Sequence, residues 1–474
     1  MNQNGEEESK ETCLLTERIQ LKKTKQLSHL CHLSKNLYNQ GNYIIKTTLE
    51  NETENGQRKW VRYLELYQNL QDSPNYRSLP SQVAQQTLRL LDRNWKSFFK
   101  AIKDWKKHPE KYQEKPEPPR YKPKDGEFLI IFTNLECRIK LDKIRNKFFL
   151  HFNSKANLPP VAVNGARIPP RALKHVRILP RQIYYTLEIV YEKKSKPVKL
   201  EQNRKIGIDI GLRNIVTVVN NVGLQPWIVR GNAIMAINQY FNKARSKFQA
   251  MNAKHGNKLK TNRVIRLNQN RDNKIVDLFH KLSRCIINYC LKNSLGAITI
   301  GYNETWKQNI NLGRRNNQNF VNIPFLKLIN QIQYKAAVEG IQVVVIEESH
   351  TSKCSFIDGE SIEHHEKYLG KRGVYVSKKN GGKGGIHTGL FKTATGLIIN
   401  SDVNGAYNIL KKAFPNAFAD GIEGLGFTPC SVKFSELKKF VNLKSTQNAL
   451  PKADNVDGIE VVGLDQYACR MKTK

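Results

Sequence analysis

Asp209 stands in the segment KIGIDIGLRN (205–214), alternating with Ile208 and Ile210 between Gly207 and Gly211. An acid among apolar neighbours on a strand is out of place unless it is paired or binds a metal. Asp402 stands in NSDVNGAYNIL (400–410), where Ser401 or Asp402 can cap a helix carrying Val403, Ala406, Tyr407 and Leu410. Pairing with an arginine and capping are the ordinary roles of isolated aspartates. The chemical alternative is a joint one. Hydrolysis of a phosphodiester with divalent metals needs two or three carboxylates delivered from different elements, because each metal must be held while the attacking and leaving oxygens are both stabilised. Such carboxylates need not be close in sequence.

The surrounding pattern supplies elements able to bring them together. The stretches IGIDI and IVTVV read as strands joined through GLRN, followed by a turn at NNVG and a third strand around WIVRG. A long helical region is expected over about 232–293, where Ile275, Leu278, Leu282, Cys285 or Ile286, and Tyr289 trace one stripe. Then come a strand AITIG, a helix over 323–339, a strand IQVVVIEE, a polar irregular stretch, and a helix beginning near Asp402. Three meandering strands followed by alternating helices and strands match the ribonuclease-H-like order.

The chain before residue 200 has no acidic cluster fit for a metal and reads as a binding lobe. Over 82–106 the residues Leu88, Leu91, Trp95, Phe98, Ile102 and Trp105 recur at steps of three and four, which marks one buried helical face. A proline-rich break, KPEPPRYKPKDG (115–126), ends it. The segments EFLIIFT, KFFLHF, HVRILP and IYYTLEIVYE then predict a small antiparallel sheet or barrel. A charged linker near KKSKPVKLEQN sets a domain boundary near 200. The fold class expected is a multi-domain α/β protein, with an RNase H-like nuclease core behind a lobe that holds a helical domain and a β-barrel-like domain.

Composition narrows the partner. The 474 residues include 78 Lys and Arg against 41 Asp and Glu, a net charge of +37 that predicts a polyanion. Lys96, Lys100 and Lys103 fall largely off the apolar face of the 82–106 helix. The segment KLKTNRVIRLNQNR (258–271) carries Lys258, Lys260, Arg263, Arg266 and Arg271 and no acid. The segment WKQNINLGRRNNQNF (306–320) sets Lys307, Arg314 and Arg315 among amides without apolar periodicity, which suits backbone contacts to nucleic acid. A solvated surface is the ordinary alternative for each. No lipid anchor accompanies the charge, the apolar runs are strand length, and the first residues are polar and acidic, so no membrane is expected and the location expected is cytoplasmic, with the bacterial nucleoid. The eight cysteines form no C-x-x-C pair, and Cys285 and Cys290 read as buried thiols.

The segments GIDIGLRN, HTSKCS and SDVNGAYNIL, in this order, resemble the transposon-encoded TnpB family, relatives of the type V CRISPR effectors; NYRSLPSQVAQQTLRLLDRNWKSFF in the first lobe extends the resemblance. It implies an RNA-guided DNA endonuclease of a transposon or compact CRISPR-like system, with a guide RNA and double-stranded target DNA as partners and Mg²⁺ or Mn²⁺ at a RuvC site. The domains implied are the start of a wedge domain over 1–30, a helical recognition domain over 31–120, a wedge β domain over 121–200, a RuvC-like domain over 201–415 and a tail over 416–474. Within the RuvC-like domain, 232–293 is a helical insertion and 350–399 a degenerate zinc-ribbon region. Asp209 is then the first acid and Asp402 the last.

Two departures matter. The middle acid of the family, a Glu closing the fourth strand, is replaced by Gly301. A relocated carboxylate is expected, Glu347 first, then Glu348 on the same strand end, then Glu304 or Asp358. Alternation along a strand lets only one of Glu347 and Glu348 face inward. The zinc ribbon keeps only Cys354, with His364, His365 and His387 at spacings that match no zinc pattern, so zinc is not expected and KKNGGKGGIHTG (378–389) reads as a flexible loop. The missing glutamate motivates an alternative, a nuclease-dead RNA-guided DNA-binding repressor; retention of Asp209 and Asp402 argues against it. A strand-joining transposase of the same fold, working without a guide, is a third possibility.

Overall fold

The computed structural model describes residues 12–50, 60–165, 168–194, 200–256, 261–303, 322–376 and 385–442. The chain forms a mixed α/β structure with several sheets, divided into two compact units that part between Lys193 and Lys194.

The unit Thr12–Lys193 carries strands β1 (Thr12–Lys22), β2 (Ile130–Thr133), β3 (Cys137–Asp142), β4 (Lys147–Phe152), β5 (Val161–Val163), β6 (Leu173–Pro180) and β7 (Tyr184–Lys194). They make a four-stranded sheet in the order β1-β7-β6-β2 and a three-stranded sheet in the order β3-β4-β5. The helices are α1 (Lys25–Glu50), α2 (Tyr63–Leu70), α3 (Pro74–Arg77) and α4 (Ser81–Lys107). The first helix thus begins at Lys25, earlier than a boundary at residue 30 allows. The periodic apolar residues of α4 do face inward, with Leu88 and Leu91 fully buried and Trp95 nearly so. Its lysines Lys96, Lys100 and Lys103 are exposed.

The second unit is organised by a six-stranded sheet. Its members are β8 (Glu201–Asp209), β9 (Asn214–Asn220), β10 (Trp227–Arg230), β11 (Leu295–Gly301), β12 (Gln342–Ile346) and β16 (Cys430–Val432), in the order β12-β11-β8-β9-β10-β16. β8, β9 and β10 form an antiparallel meander, while β11 runs parallel to β8 and β12 parallel to β11. The tail therefore contributes structure: β16 lies parallel to β10, with Ile228 opposite Ser431. Sequence offered no strand there, because three residues are too short for a period to show.

The helical region expected over 232–293 is two helices, α5 (Asn232–Lys254) and α6 (Asn262–Lys292). Gly256, at φ +64°, stops the first. α6 buries Phe279, Leu282, Cys285, Ile286 and Cys290 against the apolar core that also holds Ile206, Ile208 and Ile298. At about 1.5–3 kcal/mol for each large side chain buried, this face fixes α6 on the sheet. α7 (Phe325–Glu339) packs on α6. α8 (Ser401–Ala413) meets β8, β9 and β11 and shares a second cluster in which Val219, Phe356, Val403 and Tyr407 are buried. Because side chains alternate along a strand, Ile206 and Ile208 serve the α6 core while Gly207 and Asp209 face α8. A Cβ on Gly207 would lie 2.5 Å from the Ala406 carbonyl oxygen. That close approach lets α8 bring its first turn to the end of β8.

The stretch 350–399, read as irregular, contains a three-stranded antiparallel sheet of β13 (Lys371–Val376), β14 (Gly385–Lys392) and β15 (Ile398–Asn400). Part of the glycine-rich segment, 377–384, lies outside the described residues; Gly385 to Gly389 belong to β14. Among the described residues no helix is long and apolar enough to cross a membrane.

Candidate active site

Asp209 closes β8, paired with Thr217 across the antiparallel ladder and one step beyond the Ile208–Ile300 parallel pair. Facing α8, it meets that helix where there is no side chain: a Cβ on Gly405 would stand 3.2 Å from the Asp209 Oδ2. Burial and the negative charge of Asp402 push its carboxyl up to about 7, against the opposing pull of Arg372 and the backbone N–H of Ile210. The two aspartates therefore share one electrostatic site.

Asp402 is not the cap of its helix. Asn400 caps α8, its Oδ1 accepting from the N–H groups of Asp402 (3.0 Å) and Val403 (3.2 Å). The carboxylate of Asp402 is thereby released for other partners. Its Oδ2 accepts from Asn214 Nδ2 at 2.8 Å and its Oδ1 from Arg372 Nη2 at 3.0 Å. Arg372 also donates through Nε to the Thr388 carbonyl at 3.0 Å, which fixes its fork on the β13–β14 sheet. Neither Asn214 nor Arg372 was singled out from sequence. Asn214 ends the GLRN turn, next to the strand whose Asp209 drew notice, whereas a lone arginine in a glycine- and lysine-rich stretch carries no signal.

Gly301, at the end of β11, is flanked by Ile409 of α8 and by Glu348, just beyond β12. A Cβ on Gly301 would lie 2.4 Å from Ile409 Cδ1 and 3.2 Å from Glu348 Oε2. β12 pairs with β11 through Gly301 and Ile346, and the chain then leaves the ladder. Glu347, the first-ranked carboxylate, is exposed at that strand end, while Glu348 turns in beside Gly301. The physical reason is alternation continued past the last ladder pair. Glu304 lies outside the described residues. Asp358 is a turn-holder, with Oδ2 accepting from Ser355 Oγ (2.6 Å) and the Ala394 N–H (2.8 Å).

The same motif that holds Asp402 anchors the 350s loop. Asn404 donates to the Cys354 carbonyl and accepts from the Phe356 N–H, and Asn408 donates to the carbonyls of Thr351 and Cys354. Four residues apart on α8, they present two amides on one face. Cys354 is buried, its thiol donating to the Glu363 carbonyl at 3.6 Å. His364 packs edge-on to His350, and His365 Nε2 lies 2.8 Å from the Ser361 carbonyl oxygen. His387 is placed on β14 opposite Val374.

The residues of the basic segments divide. Arg266 is exposed on α6, and Arg263 stacks its guanidinium 4.2 Å from the Phe248 ring centroid. Arg271 is turned inward: it donates to Asn238 Oδ1, Asp272 Oδ1 and the Asn322 carbonyl, so its fork is used within the fold. Lys258, Lys260, Lys307, Arg314 and Arg315 lie outside the described residues.

Among the described residues no three His, Cys, Asp or Glu side chains stand together in a group that could hold a metal ion. A divalent magnesium ion asks for less: one or two carboxylates, with water and substrate phosphate completing the shell. The Asp209–Asp402 pair, all-oxygen and destabilised by its own repulsion, fits that demand.

Residues 188–307 match the family model OrfB_IS605, described as a probable transposase, and residues 325–409 match the model of the Cas12f1-like TNB domain. No curated protein matches the chain. Among solved structures, a Cas12f1–sgRNA–target DNA complex is 15% identical, with 83% of this chain and 98% of that chain covered and a TM-score of 0.30. The mini-RNA-guided endonuclease CRISPR-Cas_phi3 is 9% identical, with 88% and 93% covered and a TM-score of 0.43. The first model spans Asp209 and Gly301, the second Glu348, Arg372 and Asp402, so the chain is similar to an OrfB_IS605 segment followed, in order, by a Cas12f1-like TNB segment.

Proposed function

We propose that this protein is an RNA-guided DNA endonuclease, in which base pairing with a guide RNA selects double-stranded target DNA and a RuvC-type, RNase H-like centre hydrolyses it. The observation that carries the reading is the pair of carboxylates brought together at the end of β8 and the first turn of α8, Asp209 and Asp402, which share one electrostatic site. Glu348, rather than Glu347, is the relocated glutamate. Asp209 and Asp402 would hold Mg²⁺ or Mn²⁺, with Glu348 as the third acid. The bound ion supplies the positive charge that activates water and stabilises the leaving oxygen.

The remaining roles belong to the chain itself. Asn214 orients one oxygen of Asp402, and Arg372 balances the charge of the pair until substrate arrives. Its planar fork, now on a carboxylate, also matches a phosphate. The exposed Lys96, Lys100, Lys103 and Arg266 contribute to backbone binding, in keeping with a charge of +37.

The test is Mg²⁺-dependent cutting of a plasmid bearing a target matched to the RNA that copurifies. Asp209→Asn, Glu348→Gln and Asp402→Asn are each expected to lower the rate roughly a hundredfold or more while target binding persists. Glu347→Gln should cut normally. Loss with Glu347→Gln and retention with Glu348→Gln would reverse the assignment. Gly301 in place of the family's acid favours a second reading, a nuclease-dead repressor; a stable complex on uncut plasmid identifies it.

A further inference from the structure

The most solvent-exposed large apolar side chain among the described residues is Ile144, at 97%. It sits at the tip of the β3–β4 hairpin, where Asp142 Oδ1 accepts from the N–H groups of Ile144 (3.0 Å) and Arg145 (3.1 Å), and Asn146 turns the chain at φ 48°. The tip is thus fastened by its own hydrogen bonds. Lys143, Arg145 and Lys147 at the turn are all exposed, as are Arg138 and Lys140 further down β3, and Leu141, half exposed at 46%, lies just below the tip. The single acid of the hairpin strands and turn, Asp142, is occupied in holding the turn and lies 3.8 Å from the Arg145 Nε. The inward residues Cys137, Ile139 and Leu150 root the hairpin in the core of the first unit.

An isoleucine left in water forfeits the stabilisation its burial would give. Set on a fastened turn between Lys143 and Arg145, with Lys147 beside them and Lys140 and Arg138 along the strand behind, it has the form of an apolar side chain offered to a polyanion with an apolar interior. That combination describes duplex DNA, where an inserted aliphatic side chain unstacks one base step while flanking cations hold the phosphates. A protein surface would not call for a hairpin whose exposed charges are nearly all positive, and the packed minor groove of an RNA helix offers shape and hydroxyls rather than an easily opened step.

We propose that the β3–β4 tip is a DNA-opening element: Ile144 inserts between base pairs of the target duplex, with Lys143 and Arg145 on the adjacent phosphates. This deepens the nuclease reading and rests on it for its setting, since pairing of a guide with duplex DNA requires a first opened step.

The test uses the full chain with its copurified RNA and two forms of one matched target: a closed duplex, and the same sequence pre-opened by a mismatched bubble. Ile144→Asp is expected to slow cutting of the closed duplex roughly tenfold or more while cutting the bubble within about twofold of the parent, and Ile144→Met to behave as the parent. Equal cutting of the closed duplex by Ile144→Asp and parent overturns the proposal, as does an equal loss on both targets. If the parent cuts neither, the nuclease reading fails, and the tip is judged by 2-aminopurine placed at the opened step. A fluorescence rise with the parent that is absent with Ile144→Asp then supports insertion, and no rise with either refutes it.

Discussion

Replacing Asp209 by Asn should stabilise the metal-free protein, and do so only above a definite pH. In the fold the carboxyl keeps its proton up to about pH 7, whereas the free side chain loses it near 3.8. Between those values the folded state binds more protons than the unfolded state, so stability falls as pH rises through the window and the full penalty is present above it. About three pH units at roughly 1.4 kcal/mol each set a ceiling near 4 kcal/mol. Relaxation around the buried carboxylate leaves on the order of 2 kcal/mol, or about 4–8 °C in the melting of a unit this size. Asn keeps the shape and loses the charge. The assay is thermal unfolding in EDTA across pH 4 to pH 8.5. Parent and Asp209→Asn should melt together at the acid end and diverge as pH rises, the variant higher. Adding Mg²⁺ at pH 8.5 should raise the parent and leave the variant where it was. A difference in melting temperature that is flat across the range would refute the account of a strained carboxylate pair.

Arg372→Ala should tighten Mg²⁺ binding about fivefold, since a competing ion pair on Asp402, about 1 kcal/mol at partial exposure, is gone, while cutting becomes slower; Mg²⁺-dependent melting and cleavage rates measure the two arms. Asn408→Ala takes the side-chain donor from the Thr351 carbonyl and leaves the Cys354 carbonyl to Asn404 alone, and a cost of about 1–3 kcal/mol should appear as a lower melting temperature. Changing Lys96, Lys100 and Lys103 to Glu should flatten the dependence of nucleic-acid affinity on salt by up to about 3 units of slope, whereas Arg271→Ala should lower stability and leave that slope unchanged.

The meander from 205 to 230 was legible because glycine turns punctuate short β-branched runs, and period two needs no tertiary information. The same was true of α4 and α6, whose apolar stripes are long. Alternation announced that one of Glu347 and Glu348 points inward but not which one, because the run Val343 to Ile346 is apolar on both faces and hides which parity faces in. Arg372 was invisible for a different reason: its role depends on a sheet of short strands hidden in a composition that resembles a linker. Arg271 illustrates the converse. Charge patterning counts guanidinium groups without telling which side of a helix they leave from, and this one is consumed by Asn238 and Asn322. The helix cap at Asn400 was misjudged by one or two residues, the usual scatter of helix ends, yet that shift is what frees the carboxylate of Asp402.

The edge strand β16 gives the sheet a temporal order. Its partner β10 is made early in translation, but the three residues that cover it arrive only after α8 is complete. Until then β10 presents an open row of backbone donors and acceptors, a surface prone to mispairing. The second unit is thus sealed from its far end, and a ribosome that stalls before Cys430 leaves a chain holding all three proposed acids on an unfinished sheet.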